Sequence, residues 1–206
     1  MIFTLPDHPC LADYREHADL ERNPKTRPIE VVDTICLHQL SAANFHRGIR
    51  RWKHKEYHWV VECEDARAYL MHDPNIRTHH GNGFNYRSVG LGVEGCYAGV
   101  EGDLDTFWRP AEDPDRQPMH LNCAMVGAIV AAIGATCEMV KAAGGEIKYI
   151  GAHRQSSRSR RSDPGSAIWK VALACMENMG LKEAKTLKHG RPIPEAWDPR
   201  NEGVRY

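Results

Sequence analysis

The sequence predicts an α/β fold, a single domain with a central, mainly mixed β-sheet flanked by helices. Three observations carry this expectation. VVDTICLH (31–38) is a β-branched apolar run with the character of a buried strand. SVGLGVEG (88–95) and IKYIGAH (147–153) have the same character. Segments 119–143 and 167–180 (AIWKVALACMENMG) are long enough and apolar enough for helices that cover a sheet.

Taken in order, residues 1–30 are polar and broken by Pro6, Pro9, Pro24 and Pro28, which reads as an arm leading into the fold. After the first strand, ANFHRGIRRWK (43–53) has the look of a short basic helix. YHWVVE (57–62) and ARAYLM (66–71) read as two strands joined by a turn at Glu64 and Asp65. A Gly/Asn/His-rich loop, THHGNGFNYR (78–87), precedes the strand at 88–95. Residues 101–118 hold Asp103, Asp105, Glu112, Asp113 and Asp115 among their carboxylates and three prolines, which suggests an exposed loop. The helix at 119–143 ends at Gly144-Gly145, a credible C-terminal breaker. The catalytic unit is therefore expected at 31–180, with a polar tail at 181–206 wrapping the surface.

Bulk properties narrow the function classes. A length of 206 residues suits one domain with a sizeable core. Lys plus Arg and Asp plus Glu each total 27, so no global electrostatic case exists for nucleic acid or membrane binding. The seven cysteines are scattered and never spaced as CxxC, which argues against a disulfide framework or a four-cysteine metal site and fits a reducing compartment. Two or three of them are read as buried thiols acting as small apolar residues. The N-terminus lacks a basic start and an apolar run, so no secretory signal is expected. The uncharged stretch Leu121–Cys137 is short for a membrane span and reads as a buried helix. A monomer is expected.

Among twelve histidines, context singles out two. His38 and His153 each end an apolar strand, where the chain leaves the sheet toward a possible site. Asp163 follows within SDPG, a turn-forming sequence suited to fixing a carboxylate. Two histidines and a carboxylate with one position left open form a catalytic zinc set, although His and Asp at loop edges are common without any metal.

The segments ICLH (35–38), YHWVV (57–61), HGNGFNYRSVG (80–90) and GAHRQSSRSRRSDPG (151–165) resemble, in order and spacing, the zinc-dependent N-acetylmuramoyl-L-alanine amidase family. That family includes phage endolysins, cytoplasmic anhydro-muropeptide amidases and the peptidoglycan recognition proteins, and the resemblance covers approximately residues 30–175. It implies Zn²⁺ held by His38, His153 and Asp163. It places Tyr57 beside the metal, as in phage-type members, and His80 and Asn85 along the substrate groove. The activity implied is hydrolysis of the amide joining N-acetylmuramic acid to L-alanine in peptidoglycan or its fragments.

Two departures separate this chain from the recycling enzymes. The position matching their catalytic glutamate is Gly92, with Glu94 the fallback on the same strand face. Their lysine two residues before the third ligand is Arg161 here, which keeps the positive charge for an oxyanion but does not release a proton near neutral pH. Arg154, Arg158 and Arg160, like the basic residues of 47–55, read as solvated. His79 has no assigned role. The alternative function is a peptidoglycan-binding module of the same fold that does not cut, and a second is a zinc amidase acting on another amide. An endolysin leaving the cytoplasm through a holin, a recycling enzyme and an exported toxin all suit a chain made without a signal peptide.

Overall fold

The computed structural model describes residues 3–19, 25–41, 48–100, 103–109, 111 and 113–201. Among these, the strands in chain order are β1 (Leu11–Asp13), β2 (Lys25–Thr26), β3 (Thr34–Leu40), β4 (Trp59–Val61), β5 (Ala68–Leu70), β6 (Ile76–Arg77) and β7 (Ser88–Glu94). After β7 come helix α1 (Cys123–Ala142), β8 (Tyr149–Ala152), helix α2 (Ser166–Met179) and β9 (Lys182–Glu183). Seven strands form one sheet in the order β1-β5-β4-β7-β3-β8-β9, and β2 pairs with β6 in a separate ribbon. Within the large sheet only β4 and β5 run antiparallel, so the sheet is mixed as expected.

β3 lies between β7 and β8, and every residue from Thr34 to His38 is buried. Its side chains alternate between faces. Ile35 and Leu37 join Trp59, Val61, Leu91 and Val93 in the main core, against Ile129, Ala132 and Ile133 of α1 and Ile168 and Trp169 of α2. Cys36, His38 and Leu40 point to the other face. Both helices therefore cover one face of the sheet, and the histidine-bearing face is left to loops. Each fully buried aliphatic side chain in the helix-covered core contributes on the order of 1.5–3 kcal/mol.

α1 starts at Asn122, whose side chain accepts from the Met125 amide at 2.8 Å, a normal N-cap. It is long and apolar enough to cross a membrane, but half of that apolar window is buried in the protein. α2 ends at Gly180 in the left-handed conformation, where glycine carries no Cβ penalty.

The structure corrects several expectations about the periphery. Leu11–Asp13, within the supposed arm, is an edge strand parallel to β5, and Lys182–Glu183 of the tail extends the sheet beyond β8. Part of the basic helix expected at 43–53 lies outside the described residues, and Ile49–Trp52 is a 3-10 turn that buries Trp52. All seven cysteines are free thiols, with Cys36, Cys96 and Cys175 buried.

Glu94 is 1% exposed, accepting from Trp52 Nε1 at 3.2 Å and from the Cys63 amide at 3.1 Å. Buried Glu62 lies beside it, with Oε2 taking the amides of Glu64 and Asp65 at the β4–β5 turn. Burial is the main force raising the Glu62 carboxyl from 4.5 to about 7; the Asp65 amide opposes it and the charge of Glu94 adds to it. A carboxyl raised on folding stabilises the native state fully below its unfolded value and loses that contribution as pH rises through the folded one. Urea unfolding is therefore expected to show stability declining between roughly pH 4.5 and pH 7. Glu62→Gln should flatten that decline, and an unchanged pH profile in the variant would refute the assignment.

Candidate metal centre and cleft

The candidate site is built at the carboxyl ends of β3 and β8. Parallel pairing sets Leu37 of β3 opposite Ala152 of β8, so His38, still paired with Gly92 within β3, stands beside His153, the first residue past β8. Their Nδ1 atoms are 3.0 Å apart, and His153 Nδ1 is 2.9 Å from Asp163 Oδ2. The loop after His153 returns Asp163 to β3, where its Oδ1 accepts from the Gln39 amide at 3.0 Å. The Gln39 side chain holds the same loop by donating to the Ser162 carbonyl at 2.8 Å. The Asp163–Pro164 peptide is cis.

His38, His153 and Asp163 are 0%, 5% and 7% exposed, so their ring nitrogens and carboxylate face one another rather than solvent. Burial, followed by the neighbouring His153 and His80 and by the charge of Arg160, holds His38 well below the usual imidazole range. A neutral imidazole is the form that ligates a metal. Two imidazole nitrogens and one carboxylate oxygen, each within hydrogen-bond distance of the next, fit a zinc ion with a position left open for water or substrate. Asp163 keeps Oδ2 for this role because the Gln39 amide takes Oδ1.

A second possible donor group is Cys36, His38 and His80. Burial, with Asp163 adding to it, pushes the Cys36 thiol well above its ordinary value, which disfavours the thiolate that would bind metal. None of the four histidine and cysteine donors lines the cleft, but Asp163 does, and it belongs to the first group alone. The group with Asp163 is therefore the one placed for chemistry.

The cleft has a volume of about 610 Å³. Its lining includes Gln39, Leu40, Tyr57, Arg160, Arg161 and Asp163, with Thr106, Phe107 and Trp108 from the loop at 101–118. The loop at 101–118 is thus only partly the exposed connection expected of it. Thr106 and Phe107 are buried, and Trp108 stands half exposed at the rim. Tyr57 sits just before β4, its ring edge-on to His38 at 5.0 Å between centroids. Burial, with Asp163 adding to it, raises the Tyr57 phenol far above its ordinary value, so it remains a proton donor at neutral pH.

Other residues lie elsewhere than the sequence suggested. His80, expected along the groove, lies behind His38: it is buried, and its Nδ1 is 3.0 Å from His38 Nε2. Asn85 accepts from the Gly81 amide at 2.6 Å and closes the turn before β7, away from the cleft. A strand-flanking loop rich in Gly and Asn does not reveal from spacing alone whether its polar residues face a groove or fold beneath it. Arg154, read as solvated, is 6% exposed; it donates to the Arg161 carbonyl and lies over the Trp197 ring at 5.0 Å. Arg158 and Arg160 are exposed, as expected. Exposed His79 pairs with Glu56 at 2.6 Å.

Gly92, aligned with His38 across the strands, has its side-chain space filled by Leu40, whose Cδ2 would lie 2.7 Å from a Cβ placed there. A side chain at this position would require Leu40 to shift, and Glu94 is committed to Trp52 and Cys63.

Two contributors were not singled out from the sequence. Asn82 Nδ2 is 3.3 Å from His153 Nε2, and a half-turn of its amide would present an oxygen there instead. His58 accepts from the Gly90 amide at 2.9 Å through Nδ1, which leaves Nε2–H to donate to the Ile76 carbonyl at 2.8 Å. Only its position next to Tyr57 in YHWVV could have signalled it.

No protein-family model and no curated protein matches this sequence. Solved structures do match in shape. The endolysin N-acetylmuramoyl-L-alanine amidase LysCS from Clostridium intestinale URNW superposes with a TM-score of 0.56 at 14% identity, covering 85% of this chain and 99% of that one. Drosophila peptidoglycan recognition protein SD gives 0.55 at 17% identity, covering 89% and 100%. Bumblebee PGRP-SA gives 0.54 at 16% identity, covering 86% and 99%. The mixed sheet with its two helices is therefore the fold shared by N-acetylmuramoyl-L-alanine amidases and peptidoglycan recognition proteins.

Proposed function

We propose that this protein is a zinc-dependent amidase that cleaves the bond between N-acetylmuramic acid and L-alanine in peptidoglycan or its fragments. The observation that carries this reading is the convergence of His38 Nδ1, His153 Nδ1 and Asp163 Oδ2, with Asp163 reaching the lining of an open cleft. The fold supports it, since one similar structure is a cell-wall amidase. Others of the same shape are recognition proteins, so the competing reading is a module that holds peptidoglycan without cutting it. The complete donor set favours the enzyme.

When bound, zinc would supply the Lewis acidity that activates water and polarises an amide carbonyl. The chain's own residues supply the rest. Asp163, anchored to the Gln39 amide, contributes the one negative charge of the donor set. Arg161 lines the cleft and, as a guanidinium, would supply positive charge to a developing oxyanion. Tyr57, also in the cleft lining, offers its phenolic hydrogen either to that oxyanion or toward the departing amine. Arg161 cannot act as a general acid, so proton delivery falls to Tyr57 or to a water in the cleft.

Digestion of purified sacculi, followed by mass spectrometry of the released products, tests the reading. Free stem peptide beginning with L-alanine is expected, together with one zinc per chain. Protein that binds sacculi, carries no zinc and releases nothing would support the binding module instead. His153→Ala is expected to abolish both zinc content and release. Arg161→Ala should lower turnover by about 10²–10³-fold while zinc content stays at one per chain. Full activity in that variant would remove Arg161 from the mechanism and direct attention to neighbouring Arg160.

A further inference from the structure

Behind the candidate metal ligands runs a chain of hydrogen bonds whose direction is fixed at its far end. The Ser88 hydroxyl donates to the Phe84 carbonyl at 2.9 Å, so toward His80 its oxygen can only accept. The Ser88 carbonyl, also an acceptor, takes Arg27 Nη2–H at 2.8 Å. His80 Nε2 lies 3.2 Å from this hydroxyl oxygen and 3.3 Å from this carbonyl. Facing two acceptors, His80 Nε2 must carry the hydrogen. In a neutral ring its Nδ1 is then bare and accepts. The buried His80 ring makes these contacts and the one to His38, none of them to a carboxylate, and it shares the Ser88 carbonyl with the Arg27 guanidinium, a setting that favours the neutral ring.

His80 Nδ1 is 3.0 Å from His38 Nε2. A bare Nδ1 on His80 requires the hydrogen on His38 Nε2, which in turn leaves His38 Nδ1 bare. That nitrogen is the one facing His153 and Asp163.

We propose that His80 is a positioning residue: it locks His38 in the Nε2–H tautomer, so that the Nδ1 lone pair points at the metal position. The inference rests on the zinc reading for its purpose, although not for its geometry. The fold is shaped around this contact. Gly90 lies beneath the His80 ring, and a Cβ there would come within 2.5 Å of His80 Cγ. Cys36 and Gly90 are aligned neighbours on β3 and β7, so the ring occupies a slot that glycine leaves open on the site face of the sheet. Arg27, 4% exposed, also donates to the Pro74 and Asn85 carbonyls and holds the segments on either side of His80 together.

The partner His153 is held differently. Its Nε2 meets the exposed Asn82 amide, which can donate or accept after a half-turn. His38 is thus the tautomerically fixed ligand and His153 the adaptable one.

Nitrogen-15 NMR of the zinc-free wild-type protein tests the proposal without any variant. His38 should show the Nε2–H tautomer, and a predominant Nδ1–H form would overturn the proposal whether or not zinc binds. His80→Leu should leave His38 a mixture of tautomers and weaken zinc binding by about 10–100-fold. His80→Asn places an amide oxygen where Nδ1 was, and should recover most of that affinity. Equal zinc affinity in wild type and folded His80→Leu would also overturn the proposal. A wild-type protein that binds no zinc but shows the fixed tautomer would instead overturn the zinc reading and leave the positioning of His38 intact.

Discussion

The parallel pairing of β3 with β7 on one side and β8 on the other is the constraint around which the rest of the structure is arranged. A strand hydrogen-bonded on both edges cannot slip, because a shift of one residue would exchange its two faces. The register therefore fixes Ile35 and Leu37 against the helices and, by the same geometry, His38 toward the opposite side. His153 arrives because β8 is the next strand over, and Asp163 arrives because Gln39, one residue beyond His38, offers the backbone amide that captures its carboxylate. The candidate metal centre is thus a consequence of strand order more than of loop conformation.

This origin explains which parts were legible in the sequence. The β-branched run at 31–38, the apolar strands at 88–95 and 147–153 and the two helices announce themselves through burial, and the structure holds each within a few residues. His38 and His153 were legible because each ends such a run, and Asp163 because a motif tied it to His153 at a fixed distance. β1 and β9 were not, since short edge strands of polar composition carry no periodic signal. The environments of His80, Asn85 and Arg154 were not legible either. Each depends on a contact distant in sequence: His80 on His38, Asn85 on the carbonyl that it gives to Arg27, and Arg154 on Trp197.

The site face is also less generic than the helix face. Buried there are Cys36, His38, His58 and His80, with Arg27 close by, and the polar atoms of His38, His58, His80 and Arg27 are held by directed hydrogen bonds to one another or to the backbone. Such networks are stabilising when fully satisfied and costly when one member is removed. Gly90 and Gly92 belong to this arrangement, because the space above them is taken by the His80 ring and by Leu40. A glycine repeat within an apolar strand, which weakens a strand on its own, here creates the room that the imidazoles and Leu40 occupy.

The placement of both helices on one side of the sheet has a consequence for how such a chain can diverge. Aliphatic positions of α1 and α2 can exchange Leu, Ile, Val and Met with compensating neighbours at modest cost, since cores tolerate volume-conserving change. On the face bearing the histidines, positions such as His38, His58, His80, Gly90 and Gly92 have less slack, because each is set by a donor, an acceptor or a missing Cβ. Substitution is therefore least costly in the helical layer and at the surface, and most costly where a buried polar contact or a close backbone approach fixes the residue.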